Sequence, residues 1–415
     1  MNKRKIINDP VYGFINVHSD LIFDLIEHPF FQRLRRIRQL GLTCFVYPGA
    51  THTRFQHAIG TTYLMGLALN VIRSKGHDIT PEEADAAQAA ILLHDAGHWP
   101  FSHTLEHSLV SDLNHEDMSL LIMKQINREM GGGLNLAIEI FQGNYKKQFL
   151  HQLVSSQLDM DRMDYLRRDV FFTGVNEGII GSDRIIKMLD VVNDQLVVEA
   201  KGIYSIEKFL IARRLMYWQV YFHKTVIAAE NLLVMMLKRA TFLAKNDKSF
   251  PATPALTYFL HHNIVSDDLL SNSSTVRDEA IHWFSQLDDD DIFISAKIWL
   301  NYPDRVIQNL AYRLLNRKLF KIHLESNKFD KARVNTLRKA FQVKEGFSLE
   351  ESKYFVFSDS ISNNTYDYND SKIQILFKTG ELIDISDASD MFDIDKITTL
   401  TRKYFLCYPK DLTEQ

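Results

Sequence analysis

The sequence is poor in cysteine. Its 415 residues include two, Cys44 and Cys407, which lie far apart along the chain. Small secreted domains that depend on disulfides carry more cysteines at short, regular spacings. The cysteine content therefore excludes a disulfide framework and predicts a protein of the reducing cytoplasm.

Long apolar runs and a strong excess of one charge are also lacking. No run of about 18 uncharged apolar residues occurs, so no membrane span is predicted. The first ten residues, MNKRKIINDP, contain no apolar signal-peptide core. The formal net charge of -4 gives no overall positive field for nucleic acid. The sequence indicates neither a membrane nor a nucleic acid as a partner, although FFQRLRRIRQLG concentrates four arginines in one predicted helix.

One stretch places titratable groups at the end of an otherwise apolar helix. The helix is predicted over residues 81–98, because TPEE at residues 80–83 supplies an N-cap, a first-turn proline and a capping-box glutamate. Gly97 and Pro100 are positioned to end it. Within LLHDAGHWPFSH, this places His94, Asp95 and His98 at the C-terminal end of a buried helix.

The pair His94 and Asp95 requires a partner. An unpaired buried carboxylate is costly, so Asp95 needs a cation, which can be a metal ion or an arginine. For an isolated pair, a core histidine beside a salt-bridged aspartate is the ordinary alternative. Only other segments of the sequence can distinguish a metal site from a structural pair.

Two such segments flank the pair in sequence. PGATHTRFQHAIG precedes it and DMDRMDYLRRD follows it, so that a histidine, a His-Asp pair and an aspartate occur in the order of the HD metal signature. With these three motifs, which are more specific together than any one alone, the chain resembles the HD-domain phosphohydrolases. Within them it resembles the deoxynucleoside triphosphate triphosphohydrolases, including the type with a sterile-alpha-motif domain. The resemblance covers about residues 1–340, and no sterile-alpha-motif domain is expected ahead of it.

The resemblance implies a site for one divalent metal ion. Two neutral imidazoles and two carboxylates would balance its charge, with nitrogen and oxygen donors that suit Mg, Mn, Fe, Ni or Zn. The alternative for the same residues is a buried polar network. The ligands implied are His57, His94, Asp95 and Asp161.

The resemblance also implies the catalytic residues. His115 in NHEDMS matches the family's catalytic histidine and Glu106 its acidic partner, while His98 and His103 line the α-phosphate site. A histidine is suited to protonating a departing 5′-oxygen near neutral pH. His107 lies nearby and could be mistaken for the working group. Any one of these histidines alone would ordinarily be a core or surface residue.

Substrate contacts are carried over from the family in the same way. Three arginines match positions that hold the triphosphate, three residues match positions around the sugar, and two match a wall that crowds a 2′-hydroxyl. Arginine suits phosphate because its planar fork binds two oxygens. The alternatives are surface salt bridges and plain core packing. The arginines are Arg54, Arg162 and Arg213, of which Arg162 is a lysine in the relative. The residues around the sugar are Tyr165, Gln39 and Asp169, and those of the wall are Leu40 and Tyr221.

A regulatory site is implied as well. Glu27, Gln32 and Arg35, with Lys201, fall where relatives bind an activating nucleotide between subunits. Their alternative is a charged amphipathic helix face, which has the same spacing. A real site would make the protein a homo-oligomer, either a dimer or a tetramer.

The predicted reaction is metal-dependent hydrolysis of a deoxynucleoside triphosphate to deoxynucleoside and triphosphate. A metal site alone does not choose a substrate, so another nucleotide phosphoester is an alternative. No GYP motif stands beside the His-Asp pair, which disfavours cyclic-dinucleotide hydrolysis. A nucleotide-responsive binding protein is the second alternative, and the intact ligand set argues against it.

The predicted fold is mainly α, with an HD-domain helical core, short β-hairpins and a small α/β C-terminal region. A chain with 46% hydrophobic residues can bury a large core. Hairpins are predicted around Asn193-Asp194 and Thr379-Gly380, and the acidic run Asp288 to Asp291 is interpreted as a solvated helix start. The predicted units are residues 1–245, the metal-dependent core; 246–325, a helical extension; and 326–415, the C-terminal region. Helices are predicted over residues 20–39, 57–74, 81–98, 115–130, 153–169 and 206–244, and a strand over 11–17.

Overall fold

A computed structural model describes residues 5–101, 113–262, 264–270, 275–363, 372–390 and 401–412. The fold is mainly α-helical with small sheets, as the sequence predicted. The helices of the first half are α1 (Asp20–Glu27), α2 (Pro29–Arg33), α3 (Arg54–Ser74), α4 (Pro81–Leu93), α5 (His115–Glu129), α6 (Asn135–Phe141), α7 (Gln148–Val154), α8 (Met160–Thr173), α9 (Ser182–Met188) and α10 (Ile203–Met216).

The second half continues with helices and short strands. The helices are α11 (Lys224–Asn246), α12 (Pro254–His261), α13 (Ser266–Leu270), α14 (Thr275–Phe284), α15 (Asp289–Trp299), α16 (Arg305–Leu315), α17 (Lys331–Glu345), α18 (Leu349–Ser352) and α19 (Ile385–Ala388). The strands of the described residues are β1 (Lys5–Asp9), β2 (Gly13–Val17), β3 (Leu189–Val192), β4 (Gln195–Glu199), β5 (Lys321–Glu325), β6 (Phe357–Asn363), β7 (Gln374–Leu376), β8 (Leu382–Asp384) and β9 (Thr401–Tyr408).

The described strands form three sheets. β1 and β2 make an antiparallel hairpin, of which the sequence predicted only the second strand. The other sheets have the orders β3-β4-β7-β8 and β5-β9-β6. The turn between β3 and β4 has positive φ angles at Asn193 and Asp194, 51° and 59°, as a two-residue hairpin requires. β7 pairs in parallel with β4, so strands of the C-terminal region extend a hairpin of the core. The unit boundaries at residues 245 and 325 stay predictions.

Helix α4 begins as predicted and ends earlier. Thr80 and Glu83 form the capping box, with Thr80 N donating to Glu83 Oε2 over 2.9 Å. The helix stops at Leu93, so the prediction of a helix to residue 98 was wrong. The His94 carbonyl accepts from Ser119 Oγ at 2.6 Å, a side chain of α5 that no local pattern indicates. The His-Asp pair therefore lies in a turn beyond the helix.

The helix predicted over residues 206–244 is interrupted. α10 passes into a π-helical turn, Tyr217–Tyr221, and α11 begins again at Lys224. Its N-cap is His223, whose side chain accepts from Thr225 N. π-helical turns concentrate at functional sites, and this one carries Tyr217 and Tyr221 to the cavity described below.

The acidic run at residues 288–291 begins helix α15, with Asp288 as its N-cap. The interpretation of this run as solvated was wrong, because Asp288 and Asp289 are 6% and 3% exposed. Asp288 forms an ion pair with Arg36, and Asp289 accepts hydrogen bonds from two backbone amides. Partners from distant sequence thus replace the solvent that the composition suggested.

Helix α3 lies at the centre of the core and packs against α4 and α8. Its glycine at position 60 lies directly over an ion pair on α8, in which Arg168 donates to Asp164 over 2.9 and 3.0 Å. Both side chains are fully buried. A Cβ at Gly60 would overlap the ion pair. Helix α3 can therefore approach α8 only with glycine at this position.

None of the helices in the described part of the chain has the length and apolar character of a membrane-spanning segment.

Two glycines of α3 provide a matched test of this packing. Gly60→Ala should lower the free energy of unfolding by about 1–3 kcal/mol, the usual cost of overpacking a core. Gly66→Ala should be neutral or stabilising by up to about 1 kcal/mol, because alanine favours helix and its Cβ would meet only Gln88 Oε1, at 3.7 Å. Chemical unfolding of both variants measures the difference. Equal effects of the two substitutions would contradict the packing argument.

Candidate metal and substrate site

Three helix ends bring the four predicted metal residues together. The first turn of α3 carries His57, the turn after α4 carries His94 and Asp95, and the first turn of α8 carries Asp161. His57 Nε2 lies 3.0 Å from Asp161 Oδ1 and 3.6 Å from Asp95 Oδ2. His94 Nε2 lies 3.3 Å from Asp95 Oδ1 and 3.6 Å from Asp161 Oδ1. One nitrogen of each imidazole and an oxygen of each carboxylate thus face a common centre.

The second nitrogen of each imidazole is fixed by an acceptor. His57 Nδ1 donates to Asp164 Oδ2 over 2.7 Å, and His94 Nδ1 donates to the Ile91 carbonyl over 2.6 Å. When each ring is neutral, its proton is therefore on Nδ1, and the Nε2 lone pair points at the centre. Neither Nε2 atom makes a well-aligned hydrogen bond to a described residue, although Asp161 Oδ1 lies close to both. Two buried lone pairs of this kind suit a metal ion, whose histidine ligands are commonly oriented through the other nitrogen.

The charge of this centre also suits a cation. Burial opposes protonation of His57, yet the carboxylates of Asp161 and Asp164 raise the pKa of its imidazole to about 10. Burial likewise disfavours the charged form of Asp161, and His57 and His94 nevertheless lower its pKa. The cluster thus compensates its negative charge by holding protons. A divalent ion would take the place of those protons, since binding at such sites releases them. The residues therefore fit a metal ion.

An arginine approaches Asp95 from the other side. Arg54 Nη1 forms an ion pair with Asp95 Oδ2. The sequence allowed either an arginine or a metal ion as the partner of this aspartate, and the structure has the arginine in place while Oδ1 faces the centre that fits a metal ion. Burial disfavours the charged form of Asp95, but His94 and Arg54 hold the pKa of its carboxyl well below the ordinary value. Asp95 is therefore ionised and available to a metal through Oδ1.

Two of the predicted catalytic histidines stack beside the centre. His98 Nε2 lies 3.2 Å from Asp95 Oδ1, and burial together with the Arg54 guanidinium lowers the pKa of His98 well below its ordinary value. His98 is therefore neutral. The rings of His98 and His115 stack with centroids 4.1 Å apart and planes inclined by 19°.

Asp95, His98 and His115 also bring three donor atoms within reach of one ion. Nearly parallel rings cannot both direct an in-plane lone pair at that ion, so the arrangement does not suit ligation by both histidines.

Helix α5 is seated against the metal turn by a serine. Ser119 Oγ accepts from Gly97 N over 2.8 Å and donates to the His94 carbonyl over 2.6 Å. A Cβ at Gly97 would overlap the backbone of His115 and Ser119. Ser119 was not identified from the sequence, because only tertiary packing of α5 gives it this role. Glu106, His103 and His107 lie outside the described residues.

A cavity of about 610 Å³ opens beside this centre. All the predicted substrate residues that the structure describes line it. They are joined by residues that sequence reasoning missed, among them Tyr217, Phe222 and three residues of α11. The predicted lining residues are Gln39, Leu40, Arg54, Arg162, Tyr165, Asp169, Arg213 and Tyr221, with the metal residue Asp161.

Two arginines of the cavity wall are held in position by residues that do not line the cavity. Arg162 pairs with Asp159 and donates to the Ser156 carbonyl. Arg213 Nη1 donates to Gln157 Oε1 over 3.0 Å, while its buried Nε has no hydrogen-bond partner among the described residues. A buried donor of this kind on a cavity wall suits an anionic ligand.

The far side of the cavity holds a hydrogen-bonded aspartate. Asp169 Oδ1 accepts from His52 Nε2 over 2.8 Å, and Oδ2 accepts from Tyr221 OH over 2.7 Å. Burial and the Asp169 charge raise the pKa of Tyr221 well above its ordinary value. His52 stacks on Phe172, with ring centroids 4.5 Å apart. His52 was missed in the sequence, although it stands five residues before His57 in the same motif.

Three of the predicted regulatory residues, Glu27, Arg35 and Lys201, are exposed, and Gln32 is half-buried. Glu27 pairs with Lys5 of β1. Gln32 Nε2 donates to the Ile26 carbonyl over 2.6 Å, and Arg35 Nε donates to Gln32 Oε1 over 2.8 Å. The exposed Lys201 lies 3.9 Å from its nearest acidic neighbour, Glu199. A site between subunits is not tested by one chain and stays a prediction.

Solved structures resemble the chain over its whole length. A crystal structure of a phosphohydrolase from Bacteroides thetaiotaomicron has 51% sequence identity and a TM-score of 0.93, covering 98% of this chain and 99% of that one. A hypothetical protein from Aquifex aeolicus has 26% identity and a TM-score of 0.71, over 99% of this chain and 97% of that one.

Sequence comparisons find relatives of the same kind. A family model for the HD associated region matches residues 180–252. The uncharacterized protein YwfO of Bacillus subtilis is 31% identical over 99% of this chain and 94% of its own length. The deoxynucleoside triphosphate triphosphohydrolase SAMHD1 of Homo sapiens is 31% identical over 53% of this chain and 42% of its own length. The homolog of SAMHD1 in Dictyostelium discoideum is 33% identical over 53% of this chain and 46% of its own length. Together with the geometry of the site, these similarities show that the chain belongs to the HD-domain phosphohydrolases.

Proposed function

We propose that the protein hydrolyses deoxynucleoside triphosphates at the α-phosphorus and releases the deoxynucleoside and an intact triphosphate. The observation that supports this most is one cavity that joins a metal-binding cluster to three arginines. Asp161 of the cluster and the arginines at positions 54, 162 and 213 line the same space. Such a space suits a ligand with one reacting phosphorus and further negative charge beyond it.

The metal residues define where the reaction takes place. A divalent ion held by them would polarise a phosphate oxygen and lower the pKa of a bound water. The protein itself contributes the orientation of the imidazoles, through the bonds of His57 to Asp164 and of His94 to the Ile91 carbonyl. It also shields the two imidazoles from bulk solvent, since His57 and His94 are 0% and 9% exposed.

The arginines favour a long polyphosphate over a monophosphate. Arg162 is oriented by Asp159 and the Ser156 carbonyl, and Arg213 by Gln157. Planar guanidinium groups can each bind two phosphate oxygens. A monophosphate at the metal cluster would leave most of these donors unused, and the buried Nε of Arg213 would stay without an acceptor.

The stacked histidines can serve the leaving group. An N–H of His115 can donate its proton to the departing 5′-oxygen, and the neutral His98 ring beneath it keeps the imidazole in place. General acid catalysis of this kind needs a group that can release its proton near neutral pH. Glu106 is kept in the proposal as the acidic partner of His115.

The sugar would lie between Leu40 and the Asp169 network. Each oxygen of Asp169 holds one hydrogen bond, from His52 or from Tyr221, and keeps a second lone pair for the 3′-hydroxyl. The Tyr221 hydroxyl is engaged by Asp169, so the tyrosine presents its ring to the cavity. An added 2′-hydroxyl would need both room and a partner at this apolar wall. Ribonucleotides should therefore be the poorer substrates.

The proposal includes an activating nucleotide and a homo-oligomer, either a dimer or a tetramer. Gln32 and Arg35 are hydrogen-bonded to each other. This bond orders the two polar side chains, which follow the exposed Glu27 in sequence. Lys201 is kept as the basic residue of this site.

The metal assignment predicts the behaviour of an alanine variant. Asp161→Ala should lose bound metal and turnover, because one of two anionic ligands is removed. Asp183→Ala is the control, since that side chain is 71% exposed on the protein surface. Elemental analysis and a turnover assay of both purified variants are the measurements. If Asp161→Ala keeps its metal and its activity, the ligand set is wrong.

The proton-transfer assignment separates two histidines. His115→Ala should lower kcat by roughly 10²- to 10⁴-fold, the usual contribution of general acid catalysis. His107→Ala should leave kcat close to wild type. Metal content serves as the check that both variants retain the centre. A large loss for His107→Ala, with His115→Ala near wild type, would reverse the assignment.

The reaction itself is tested by locating the bond that breaks. A panel of deoxynucleotides and ribonucleotides is incubated with the metal-loaded protein in ¹⁸O-water, and the products are identified by mass. Label should enter the terminal phosphate of the released triphosphate, because water attacks the α-phosphorus. Release of monophosphate or diphosphate would contradict the proposal and indicate another phosphoester reaction. Binding without turnover would indicate a nucleotide-responsive binding protein.

A further inference from the structure

The start of helix α15 contacts two separate segments of the cavity wall. Asp289 Oδ1 accepts from Phe101 N, and Oδ2 accepts from Arg38 N, both over 3.0 Å. Phe101 lines the cavity, and Arg38 directly precedes Gln39 and Leu40, which line it as well. A single buried carboxylate therefore connects the turn that follows the metal residues to the segment that faces the sugar.

Phe101 has a conformation that needs such a partner. Its φ angle is 56°, a left-handed value that bulky residues rarely adopt. Its side chain is 1% exposed and meets the ring of Phe293 with centroids 5.5 Å apart. A conformation of this kind persists only where surrounding contacts determine it. The bond from Phe101 N to Asp289 is one of those contacts.

Arg33 connects the same turn to the segment just before α15. Arg33 Nη2 donates to the His98 carbonyl over 3.0 Å, and Arg33 Nε donates to the Leu287 carbonyl over 2.6 Å. The guanidinium lies 4.0 Å from the ring centre of Phe284, and the residue is 1% exposed. The turn from His98 to Phe101 is thus held at both ends by the segment around residue 288.

We propose that Asp289 is a positioning residue of the active site. By accepting both amide protons, its carboxylate fixes the turn of His98 and Phe101 against the segment of Gln39 and Leu40. Asp289 is neither a cavity-lining residue nor one of the predicted metal ligands, so it acts on the geometry of the groups that contact substrate. An asparagine has the same shape but only one accepting oxygen, and its amide group would face an N–H donor.

The protonation of Asp289 supplies an internal test. Burial raises the pKa of this carboxyl to about 6, although the two amides and the Arg38 guanidinium lower it. Asp288 raises the pKa further, and Arg33 and Cys44 also interact with the charge. Above about pH 6 the carboxylate accepts both bonds. Below it, the neutral acid loses one acceptor, so the positioning is lost as the pH falls.

The experiment compares Asp289→Asn with Asp290→Asn, an exposed neighbour in the same run, in the metal-loaded full chain. At alkaline pH, kcat/KM of Asp289→Asn should be lower by roughly 10- to 100-fold, the cost of slight misplacement of reacting groups. The ratio of wild type to Asp289→Asn should then fall toward one as the pH drops through about 6. Loss of metal in acid affects both proteins and cancels in the ratio. Asp290→Asn should match wild type throughout. A ratio that does not change with pH would overturn the proposal.

A second measurement needs no turnover. The exchange of the Phe101 and Arg38 amide hydrogens, corrected for intrinsic rates, should be faster in Asp289→Asn and unchanged in Asp290→Asn. In the wild-type protein, the protection of these two amides should fall as the pH drops through about 6. This measurement tests the proposal even if Asp289→Asn does not fold. Unchanged protection would overturn the proposal. It rests on the proposed function only for the turnover assay, so faster exchange without triphosphohydrolase activity would reject that function and keep the positioning role.

Discussion

Asp164 accepts hydrogen bonds from both His57 and Arg168, and all three side chains are fully buried. Arg168 also donates to Asp9 over 2.8 Å, at the turn of the first hairpin. The predicted metal ligand His57 is thereby connected through two carboxylates and a guanidinium to the N-terminal hairpin. Because buried charges are tolerated only in pairs, each member of this chain fixes the next, and Gly60 leaves the space in which the central ion pair can form.

The predicted metal and catalytic residues that the structure describes are concentrated at helix ends. His57 and Asp161 lie in first turns, His94 caps the end of α4, and His115 begins α5. Helix bodies bury apolar faces, whereas helix ends leave backbone groups that need polar partners. Titratable side chains can therefore gather where several ends meet without interrupting the core. This explains why an apolar helix leads into a histidine-rich turn.

Local sequence predicted what depends on local sequence. The capping box of α4 and the hairpin at Asn193 follow from short motifs. The gathering of the four predicted metal residues was implied by the family resemblance, which three motifs in order carry. The end of α4 did not follow, since Ser119 reaches it from another helix. His52 and Asp289 were missed for the same reason, because their partners lie more than a hundred residues away in sequence. An acidic run looks solvated until the amides that it satisfies are known.

The C-terminal region contributes to the site through helix α10. Strand β7 pairs in parallel with β4, which ends shortly before α10 begins, and a parallel pairing requires a long crossover in the chain. Ser389 then donates to Glu207 of α10, a side chain that is 3% exposed. Arg213 lies further along the same helix and lines the cavity. Residues more than a hundred positions beyond the predicted core thus support the helix that presents Arg213 to the cavity.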